Sequence, residues 1–386
     1  MTKFAHISDV HLGGWKQEPL QELNFKSFKK AMDICIEQRL DFILIAGDLF
    51  DSAYPGIEIL KKTFSEFRRL KEAGIPCFII AGSHDYSVSG KTFLDVLENA
   101  GFCKNIFNFT EIDGKIILEP ILYKSVALYG YPGKKSGLEI PELRKIKINE
   151  SPGMFRIFAL HTTIDKAKGT LPIDAIETDL LPSADYYALG HLHIDFQYQN
   201  FVYPGPLFPN NFQELEDLNY GSFYIVNTEQ KDPLKKVEIK IKEVVSLNIK
   251  IKDALLATQK IISELDKNDL KDKIILLRLS GELENGKNSD IKFHQIEEFA
   301  REKGAYFLLK NTHDLNTKEV ELEIEIESSE NIEEETIKIY SEKNPSSFNE
   351  LIPELINSLS IEKQEGETTD VFTHRLVAEA KKILKF

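Results

Sequence analysis

The chain has 386 residues, of which 42% are hydrophobic and 28% are charged, a composition typical of globular proteins that excludes a disordered or fibrous chain. Because the sequence contains no apolar run of about 18 residues or more, we expect no membrane-spanning helix. The formal net charge of -14 argues against a surface coated with cations for non-specific nucleic-acid binding, although it leaves room for a local basic face.

The length predicts two or three domains. A strand-like run begins at Lys3 and polar residues arrive at Asp9, so we expect no signal peptide at this end. The three cysteines, Cys35, Cys77 and Cys103, lie in apolar surroundings without the spacing of metal ligands. They are interpreted as reduced core thiols, which favours a cytoplasmic location.

Six short apolar runs in about the first 235 residues predict strands that are buried on both faces. These runs are Phe4–Ile7, Phe42–Ala46, Cys77–Ala81, Val126–Tyr129, Ile157–Leu160 and Tyr186–Leu189. Helical patterns lie between the first three runs, such as the stripe formed by Ile57, Leu60, Phe64 and Phe67. Strands that alternate with helices predict an α/β fold with parallel strand pairs and right-handed crossovers.

The region from about residue 240 to residue 330 predicts a smaller set of helices and strands. Helical patterns at 261–265 and 293–299 flank a strand-like run at Ile274–Leu277. Residues 319–327 alternate strictly between glutamate and aliphatic residues, which predicts a half-exposed strand whose charged face prevents edge pairing.

The last 55 or so residues predict two amphipathic helices. One apolar stripe runs from Phe348 to Leu359 behind a capping box formed by Ser347 and Glu350, and a second runs from Phe372 to Leu384. Such helices pack either on their own chain or on a partner, and the sequence favours neither.

Five polar clusters follow five of the predicted strands. They are Asp9-Val10-His11, Gly47-Asp48-Leu49-Phe50-Asp51, Gly82-Ser83-His84-Asp85, His161, and Gly190-His191-Leu192-His193. Because the carboxyl ends of parallel strands lie at one edge of a sheet, where ligands bind, we expect all five clusters to converge.

The converging side chains combine imidazole and carboxylate groups, which together suit transition metals such as manganese, iron or zinc. Two cations roughly 3.5–4 Å apart need a shared anionic ligand, and Asp48 at a central strand end is the natural bridge. Such a pair would polarise a phosphate and activate a water molecule at neutral pH.

Simpler interpretations apply to histidines outside these clusters. A lone histidine is usually just a polar residue of a loop, and His6, His294, His313 and His374 are interpreted in this way. An Asp-x-His or Gly-Asp pair alone would carry little weight. Five ordered motifs at five strand ends are different, and we put the odds of a chance occurrence below about one in twenty.

The ordered motifs Asp-x-His, Gly-Asp-x-x-Asp, Gly-(Asn)-His-Asp, His and Gly-His-x-His resemble the signature of calcineurin-like metallophosphoesterases. The flanking segments 7–13, 46–51 and 203–206 resemble those of DNA double-strand-break nucleases of the SbcD and Mre-eleven type. The resemblance covers about residues 1 to 230, and beyond them it rests on the layout of the chain.

The resemblance implies an α/β fold, a two-sheet metallophosphoesterase sandwich flanked by helices (αββα), with a small α+β capping domain and a C-terminal helical tail. It places the nuclease domain at residues 1–235, the capping and DNA-binding domain at 240–330, and the tail at 345–386.

The resemblance also implies roles for the motif residues. A first metal would be bound by Asp9, His11, Asp48 and His193, and a second by Asp48, Ser83, His161 and His191. His84 would protonate the leaving oxygen while Asp85 holds its ring, and Asp51 is counted with these two as catalytic.

The chain departs from the family pattern at Ser83, where the family usually has asparagine. A serine hydroxyl is a weaker neutral ligand on a shorter arm than a carboxamide. We therefore predict that Ser83 binds at a strained distance or leaves its position to water, so that the second metal binds more weakly.

The implied cofactors are two Mn²⁺ ions or other divalent transition metals. The implied partners are DNA, as double-stranded ends or hairpins, a second copy of the chain, and a Rad-fifty/SbcC-type ATPase bound by residues 345–386, all in the cytoplasm at the nucleoid. Basic stretches that could contact phosphates are Lys134, Lys135, Arg144, Lys145 and Lys147, and Lys235, Lys236, Lys240 and Lys242.

Several points stay open at the level of sequence. The basic stretches are equally well interpreted as solvated surface. Two sets of residues fit either a homodimer contact or the core: Leu60, Phe64 and Phe67, and Phe93 and Leu97. The leading function is a Mn-dependent DNA endo- and exonuclease, and the alternatives are a phosphodiesterase for small diesters and a weakly catalytic scaffold that tethers DNA.

Overall fold

The computed structural model describes residues 2–87, 90–112, 115–170, 172–230, 232–317, 337–338, 340–341, 346, 348–361 and 369–384. Two compact units make up the chain, Met1–Asn316 and Thr317–Phe386. Among the residues described, no helix has the length and apolar character that crossing a bilayer requires.

The strands and helices of the first unit are numbered here in chain order. The strands are β1 (Lys3–Ile7), β2 (Phe42–Ala46), β3 (Cys77–Ile80), β4 (Lys104–Asn105), β5 (Phe109–Ile112), β6 (Lys115–Leu118), β7 (Ile121–Tyr123), β8 (Val126–Tyr131), β9 (Lys147–Ile148), β10 (Phe155–His161), β11 (Tyr186–Gly190), β12 (Asp195–Tyr198), β13 (Phe201–Pro204), β14 (Gly221–Asn227), β15 (Leu234–Ile239), β16 (Val244–Lys250), β17 (Ile274–Leu283) and β18 (Phe307–Thr317). The helices are α1 (Glu18–Glu37), α2 (Ile57–Glu72), α3 (Leu94–Asn99), α4 (Ile140–Leu143), α5 (Phe212–Leu218), α6 (Ala254–Asp266) and α7 (Phe293–Glu302).

Two six-stranded sheets form the larger part of this unit. The first has the order β15-β14-β1-β2-β3-β4, and the second has the order β12-β13-β11-β10-β8-β7. In the first sheet β1, β2, β3 and β4 run parallel, with α1 and α2 as crossovers, whereas β14 runs antiparallel to β1. In the second sheet β8, β10, β11 and β13 run parallel.

The two sheets pack face to face around a shared apolar core. The first sheet contributes side chains such as Phe4, Phe42 and Ile80, and the second contributes Leu128 and Ile157. A second core fills the space between the first sheet and its helices, and a third, rich in tyrosine, covers the outer face of the second sheet. This architecture confirms the predicted two-sheet α/β sandwich.

The side chains considered for a homodimer contact belong to the core between the first sheet and its helices. Phe67 and Leu97 are fully buried, while Leu60, Phe64 and Phe93 pack against the same cluster. The cysteines are unpaired, and Cys35 and Cys77 are buried.

Residues 244–316 form a third sheet with the order β16-β17-β18, which α6 and α7 cover around a core of its own. A separate apolar cluster joins this sheet to the sandwich, with Trp15 and Leu215 on one side and Ile274 and Leu276 on the other. The limits proposed for the individual domains stay predictions.

Among its described residues, the second unit has a 3-10 turn at Asn349–Leu351, followed by helices α8 (Ile352–Leu359) and α9 (Thr369–Leu384), which contact each other. Both amphipathic stripes of the sequence therefore fall on helices. The alternating strand predicted at 319–327 and the capping residue Ser347 lie outside the described residues.

Candidate metal centre

The five polar clusters meet at one edge of the sandwich, to which both sheets contribute. Three clusters follow β1, β2 and β3 of the first sheet, and two follow β10 and β11 of the second. Three overlapping groups have their ligand atoms within 4.8 Å of one another: Asp9, His11 and His193; His11, Asp48 and His84; and Asp9, Asp48 and His161. Residues up to 184 positions apart in the chain, from Asp9 to His193, thus surround one point.

The backbone at this edge is held in an unfavourable conformation. Asp9, His11, Asp48 and His191 have φ angles of 51°, 45°, 52° and 97°, a region that residues other than glycine rarely adopt. Backbone hydrogen bonds hold the β1 and β2 ends together, because the amides of Val10 and His11 donate to the carbonyl of Asp48 over 2.9 and 3.0 Å. Backbone strain that neighbouring hydrogen bonds hold in place is common at ligand sites.

The Nε2 atoms of three histidines point into the centre. Nε2 of His11 lies 3.0 Å from Nε2 of His193 and 3.6 Å from Oδ2 of Asp48. Nε2 of His161 lies 3.1 Å from the same Asp48 oxygen, and Nε2 of His193 lies 3.7 Å from Oδ1 of Asp9. Asp48 therefore faces histidines from both sheets, as a bridging ligand must.

The Nδ1 atoms of the same histidines point outward to fixed acceptors. His11 donates to Oδ1 of Asp51 over 3.1 Å, and His193 donates to Oε1 of Glu214 over 2.9 Å. His161 donates to the backbone carbonyl of Ala46 over 2.9 Å. With the proton held on Nδ1, each ring presents the lone pair of Nε2 to the centre, which is the usual arrangement of histidine ligands to metals.

These residues fit a divalent cation. The Nε2 atoms of His11 and His193 lie 3.0 Å apart while both Nδ1 atoms donate to carboxylates, so a proton or a cation must lie between the two Nε2 atoms. Nε2 of His161 is buried and faces an oxygen of Asp48 at 3.1 Å without meeting the geometry of a hydrogen bond. The mixture of imidazole and carboxylate donors suits Mn, Fe or Zn better than Mg or Ca.

Glycines make room for Asp48 and His161. A Cβ atom at Gly82 would overlap the carboxylate and the amide of Asp48, and one at Gly47 or Gly133 would overlap the ring of His161. Gly47 also has a φ of 90°. Close approach of three backbone segments thus wedges the His161 ring against the shared aspartate.

Charge interactions inside the centre are strong in the metal-free chain. Burial lowers the pKa of His161, but the attraction of Asp48 outweighs it and raises the pKa to about 10. Burial also lowers the pKa of His193, but its hydrogen bond to Glu214 and the nearby Asp9 raise it to about 9. Protons therefore compensate the carboxylates where a cation would otherwise do so, and metal binding must release them.

Several of the other predicted residues lie around a cavity of about 470 Å³ beside the centre. Ser83, His84 and His191 line it, together with Tyr54 and Lys135. The amide of His191 donates to Oδ1 of Asp9 over 2.9 Å, and its ring centroid lies 5.2 Å from that of His161.

His84 is much more exposed than His11 and His161, with 48% of its side chain accessible. Its amide donates to Oδ1 of Asp48 over 2.8 Å, and its Nδ1 donates to the carbonyl of Asp51 over 2.9 Å. The carboxylate of Asp51 lies 3.7 Å from the same Nδ1.

Two interpretations of the sequence need correction. We expected Asp85 to hold the His84 ring, but its buried carboxylate accepts hydrogen bonds from the amides of Phe50 and Gly82, so it holds the loop. We placed His6, His294, His313 and His374 in loops, and this was wrong, because His294 lies in α7, His313 in β18 and His374 in α9. His6 is a fully buried residue of β1 that bonds to Tyr186 and Leu189. A strand residue that faces the core needs such internal partners.

The sequence analysis missed Glu214 and Asn210. Glu214 accepts from His193, and the side-chain amide of Asn210 lies 3.4 Å from Oδ1 of Asp51. Glu214 lies in the first turn of α5 and Asn210 lies two residues before that helix, so neither follows a strand end. The pattern that could have revealed Glu214 is the helix start itself, in which Asn211 caps α5 and Glu214 is the third residue of that helix.

Comparisons with known proteins agree with this geometry. A family model described as calcineurin-like phosphoesterase matches residues 2–195, about half of the chain. The metallophosphoesterase YhaO of Bacillus subtilis is 28% identical over 241 residues, which cover 58% of this chain and 57% of that protein.

Two DNA double-strand break repair proteins called Mre11 are also similar. The protein of Saccharolobus solfataricus is 28% identical over 309 residues, 73% of this chain and 76% of its own. The protein of Methanosarcina acetivorans is 24% identical over 330 residues, 82% of this chain and 51% of its own. The chain thus spans about half the length of several relatives that it matches.

Proposed function

The chain belongs to the calcineurin-like phosphoesterase family, and from this membership we propose that it is a Mn-dependent DNA nuclease, the nuclease subunit of a complex that processes DNA double-strand breaks. The observation that carries the proposal is the set of inward Nε2 atoms around Asp48, each fixed by an outer acceptor. The names of the Mre11 relatives favour DNA as the substrate.

In this proposal Asp9, His11, Asp48 and His193 bind one metal ion, and Asp48, Ser83, His161 and His191 bind the other. Two divalent ions held there supply Lewis-acid polarisation of the phosphate and an activated water molecule. The chain supplies the rigidity, because outer hydrogen bonds fix each histidine before the substrate arrives.

His84 protonates the leaving oxygen in this proposal. It lies at the cavity wall, and its exposure gives it access to a substrate. When Nε2 gives up its proton, the ring keeps the Nδ1 proton, which the carbonyl of Asp51 already accepts.

The cavity beside His84 suits a polymer better than a small, enclosed substrate. Tyr54 and Lys135 line it, and both are exposed, so the cavity opens at the surface. Many cations of the two basic stretches are paired with carboxylates: Lys134, Arg144, Lys236, Lys240 and Lys242. Lys135 has no ion pair within the described residues, which leaves its charge for a backbone phosphate.

The second unit and α2 expose apolar side chains that support the proposed partners. The helices α8 and α9 dock on the coiled coil of a Rad-fifty/SbcC-type ATPase in this proposal, and Phe348, Ile356 and Leu359 are apolar side chains exposed for that contact. A homodimer is also proposed, and Ile57, which is 81% exposed at the start of α2, is available for it.

The proposal is tested with two substrates. With Mn²⁺, the wild-type chain should degrade linear duplex DNA and hydrolyse bis(4-nitrophenyl) phosphate, and a chelator should abolish both activities. His84→Ala should lower the DNA rate by about 10²–10⁴-fold, the usual contribution of a general acid. The nitrophenolate leaving group needs no proton, so hydrolysis of the small diester should fall far less.

Other outcomes separate the alternatives. Hydrolysis of the small diester without degradation of any DNA would indicate a phosphodiesterase for small substrates. Metal-dependent DNA binding without hydrolysis of either substrate would indicate a tethering scaffold. An equal loss on both substrates in His84→Ala would contradict the role of His84 as the acid. For the partner, removing residues 345–386 should abolish binding of the ATPase and spare hydrolysis of the small diester.

A further inference from the structure

The start of α5 supplies one of the two carboxylates that orient the histidines proposed for the first metal, and Asn210, just before the helix, contacts the other. Glu214 accepts from Nδ1 of His193 over 2.9 Å, from the side chain of Asn211 and, over 2.8 Å, from the amide of Asn210. The Asn210 side chain in turn lies 3.4 Å from the Asp51 oxygen that accepts from His11. The position of α5 therefore sets where Glu214 stands and where the Asn210 side chain meets Asp51.

Another face of α5 is held by one arginine of the third sheet. Arg278, on β17, makes a two-pronged ion pair with Glu216, with Nη2 at 2.6 Å and Nε at 3.2 Å from Oε2. Its Nη2 also donates to the Gln213 side chain over 2.7 Å. The guanidinium lies over the ring of Phe212, 5.0 Å from its centroid. One side chain thus contacts three of the seven residues of α5.

Apolar packing also holds α5 against the third sheet. Leu215 of α5 is fully buried in the cluster that also contains Ile274 and Leu276 of β17. Trp15 donates from Nε1 to the carbonyl of Pro209, just before the helix, over 2.9 Å. A partly buried, two-pronged arginine pair is more specific in direction than a lysine pair, so it fixes the rotation of the short helix.

The histidine on the other side of the centre has no such link. His161 donates to the backbone carbonyl of Ala46, at the end of β2, and its ring is wedged by glycines. These contacts come from the two sheets of the sandwich and do not pass through α5.

From these contacts we infer that Arg278 is a positioning residue for the first metal: it holds α5 so that Glu214 and Asn210 keep His193 and His11 aimed at the centre. The inference rests on the proposed metal centre. Through Arg278 the third sheet becomes part of the active site, although none of its residues binds the metal. Bound DNA or a partner that displaces this sheet therefore changes the affinity of the first metal position and not of the second.

The experiment is a Mn²⁺ titration of the full chain, followed by calorimetry and by the electron paramagnetic resonance of free Mn²⁺. The wild type should bind two ions. Arg278→Ala should weaken one position by about tenfold, the lower end of the effect of removing an outer partner of a metal ligand, and leave the other unchanged. Arg278→Lys should restore part of the affinity, and methylguanidinium added to Arg278→Ala should restore more.

The controls separate orientation from general loss of structure. Glu216→Gln removes the same ion pair from the other side and should reproduce the effect. Lys310 lies on the neighbouring strand β18 and forms an ion pair with Glu297 of α7. Lys310→Ala removes that ion pair, and this variant should bind both ions like the wild type. Equal weakening at both positions in Arg278→Ala, or no weakening at either, would overturn the inference.

A readout without metal keeps this inference distinct from the proposed function. In the metal-free chain the Nδ1 proton of His193, shared with Glu214, should give a proton resonance far downfield. Arg278→Ala should broaden it by solvent exchange, whereas the corresponding resonance of His161 should stay sharp. If the wild type binds no Mn²⁺ or hydrolyses no diester, the proposed function fails, while an unchanged His193 resonance in Arg278→Ala sinks the positioning role alone.

Discussion

His193 and His161 face the same centre from opposite sides, but different kinds of structure hold them. His193, like His11, is oriented by a carboxylate on a side chain, and the carboxylate of Glu214 stands on a short helix. His161 is oriented by the backbone carbonyl of Ala46 and is wedged between glycines. The centre therefore combines a half that is fixed by the backbone of the sandwich with a half that is fixed by replaceable side chains.

The difference teaches where the site tolerates change. Backbone acceptors cannot be removed by substitution, so the His161 half is vulnerable chiefly at its glycines. The His193 half can be adjusted one side chain at a time, and the structure that controls it extends to Arg278. The predictions on the metal centre alter one half or the aspartate that both halves share, and each measures both metal positions.

The largest effect is expected from Gly82→Ala. The added Cβ atom would overlap the carboxylate and the amide of Asp48, which both halves share. Because misplacing a reacting group by about 1 Å can cost about 10²-fold, hydrolysis of a small diester should fall by at least that factor, with both metal positions weakened. Gly56→Ala is the matched control, since a Cβ atom there only reaches van der Waals contact with Ile59. Weakening confined to one position would show that the halves do not share Asp48.

A smaller and one-sided effect is expected from Glu214→Gln. The substitution keeps the shape of the side chain but removes the charge that favours the Nδ1 proton of His193. Loss of such an outer partner typically costs 10–100-fold in metal affinity, and about tenfold is expected at the first position only. Asp217→Asn, on the exposed side of the same helix, is the control. The comparison of the two halves breaks down if the second position weakens as well.

The sequence was most informative where chemistry follows a strand. The motifs at the ends of β1, β2, β3, β10 and β11 predicted which side chains converge, because strand ends of one orientation meet at one edge. Glu214, Asn210 and Arg278 escaped prediction because their roles depend on how α5 and the third sheet pack against the sandwich. Such packing relates residues that no local pattern connects, and Asp85 was misjudged for the same reason.

The apolar runs predicted the buried strands well, since continuous apolar segments of this length suit strands covered on both faces. The same runs did not reveal which of two sheets each strand joins. Nor did they reveal the small sheet formed by β5, β6 and β9, whose strands are mostly exposed and short. His6 was placed in a loop incorrectly because the sequence around a single polar residue in an apolar run does not reveal its hydrogen-bond partners.

A modest effect is expected from Ser83→Asn, which tests the weaker ligand of the second metal in the His161 half. Ser83 lines the cavity beside His84, and a carboxamide oxygen on a longer arm is the ligand that the family usually has there. The second metal should bind a few-fold more tightly, with the first position unchanged and Mn-dependent hydrolysis kept or raised. Ser87→Asn, on the same cavity wall, should change neither position. Lower Mn-dependent activity in Ser83→Asn would contradict the interpretation of Ser83 as a weak ligand of the second metal.

The last prediction concerns stability and not the metal centre, and it tests His6 in the interior of the sandwich. Burial lowers the pKa of His6 from 6.5 to about 3, although its hydrogen bond to Leu189 opposes the shift. Because the folded chain keeps this ring neutral while the unfolded chain protonates it, stability is full above pH 6.5 and falls as the pH decreases toward 3. The loss between pH 7 and pH 5 should be about 2 kcal/mol.

His6→Gln should remove that part of the pH dependence, so the free energies of unfolding of wild type and variant, measured by urea titration without metal, should converge as the pH falls from 7 to 5. The exposed residue His313 provides the control, because its side chain is 91% accessible in the folded chain and His313→Gln should run parallel to the wild type. Parallel curves for His6→Gln would mean that the folded interior accepts the proton. The internal partners of His6 would then tolerate a charge within the sandwich, and the contrast between a neutral interior and a charged edge would disappear.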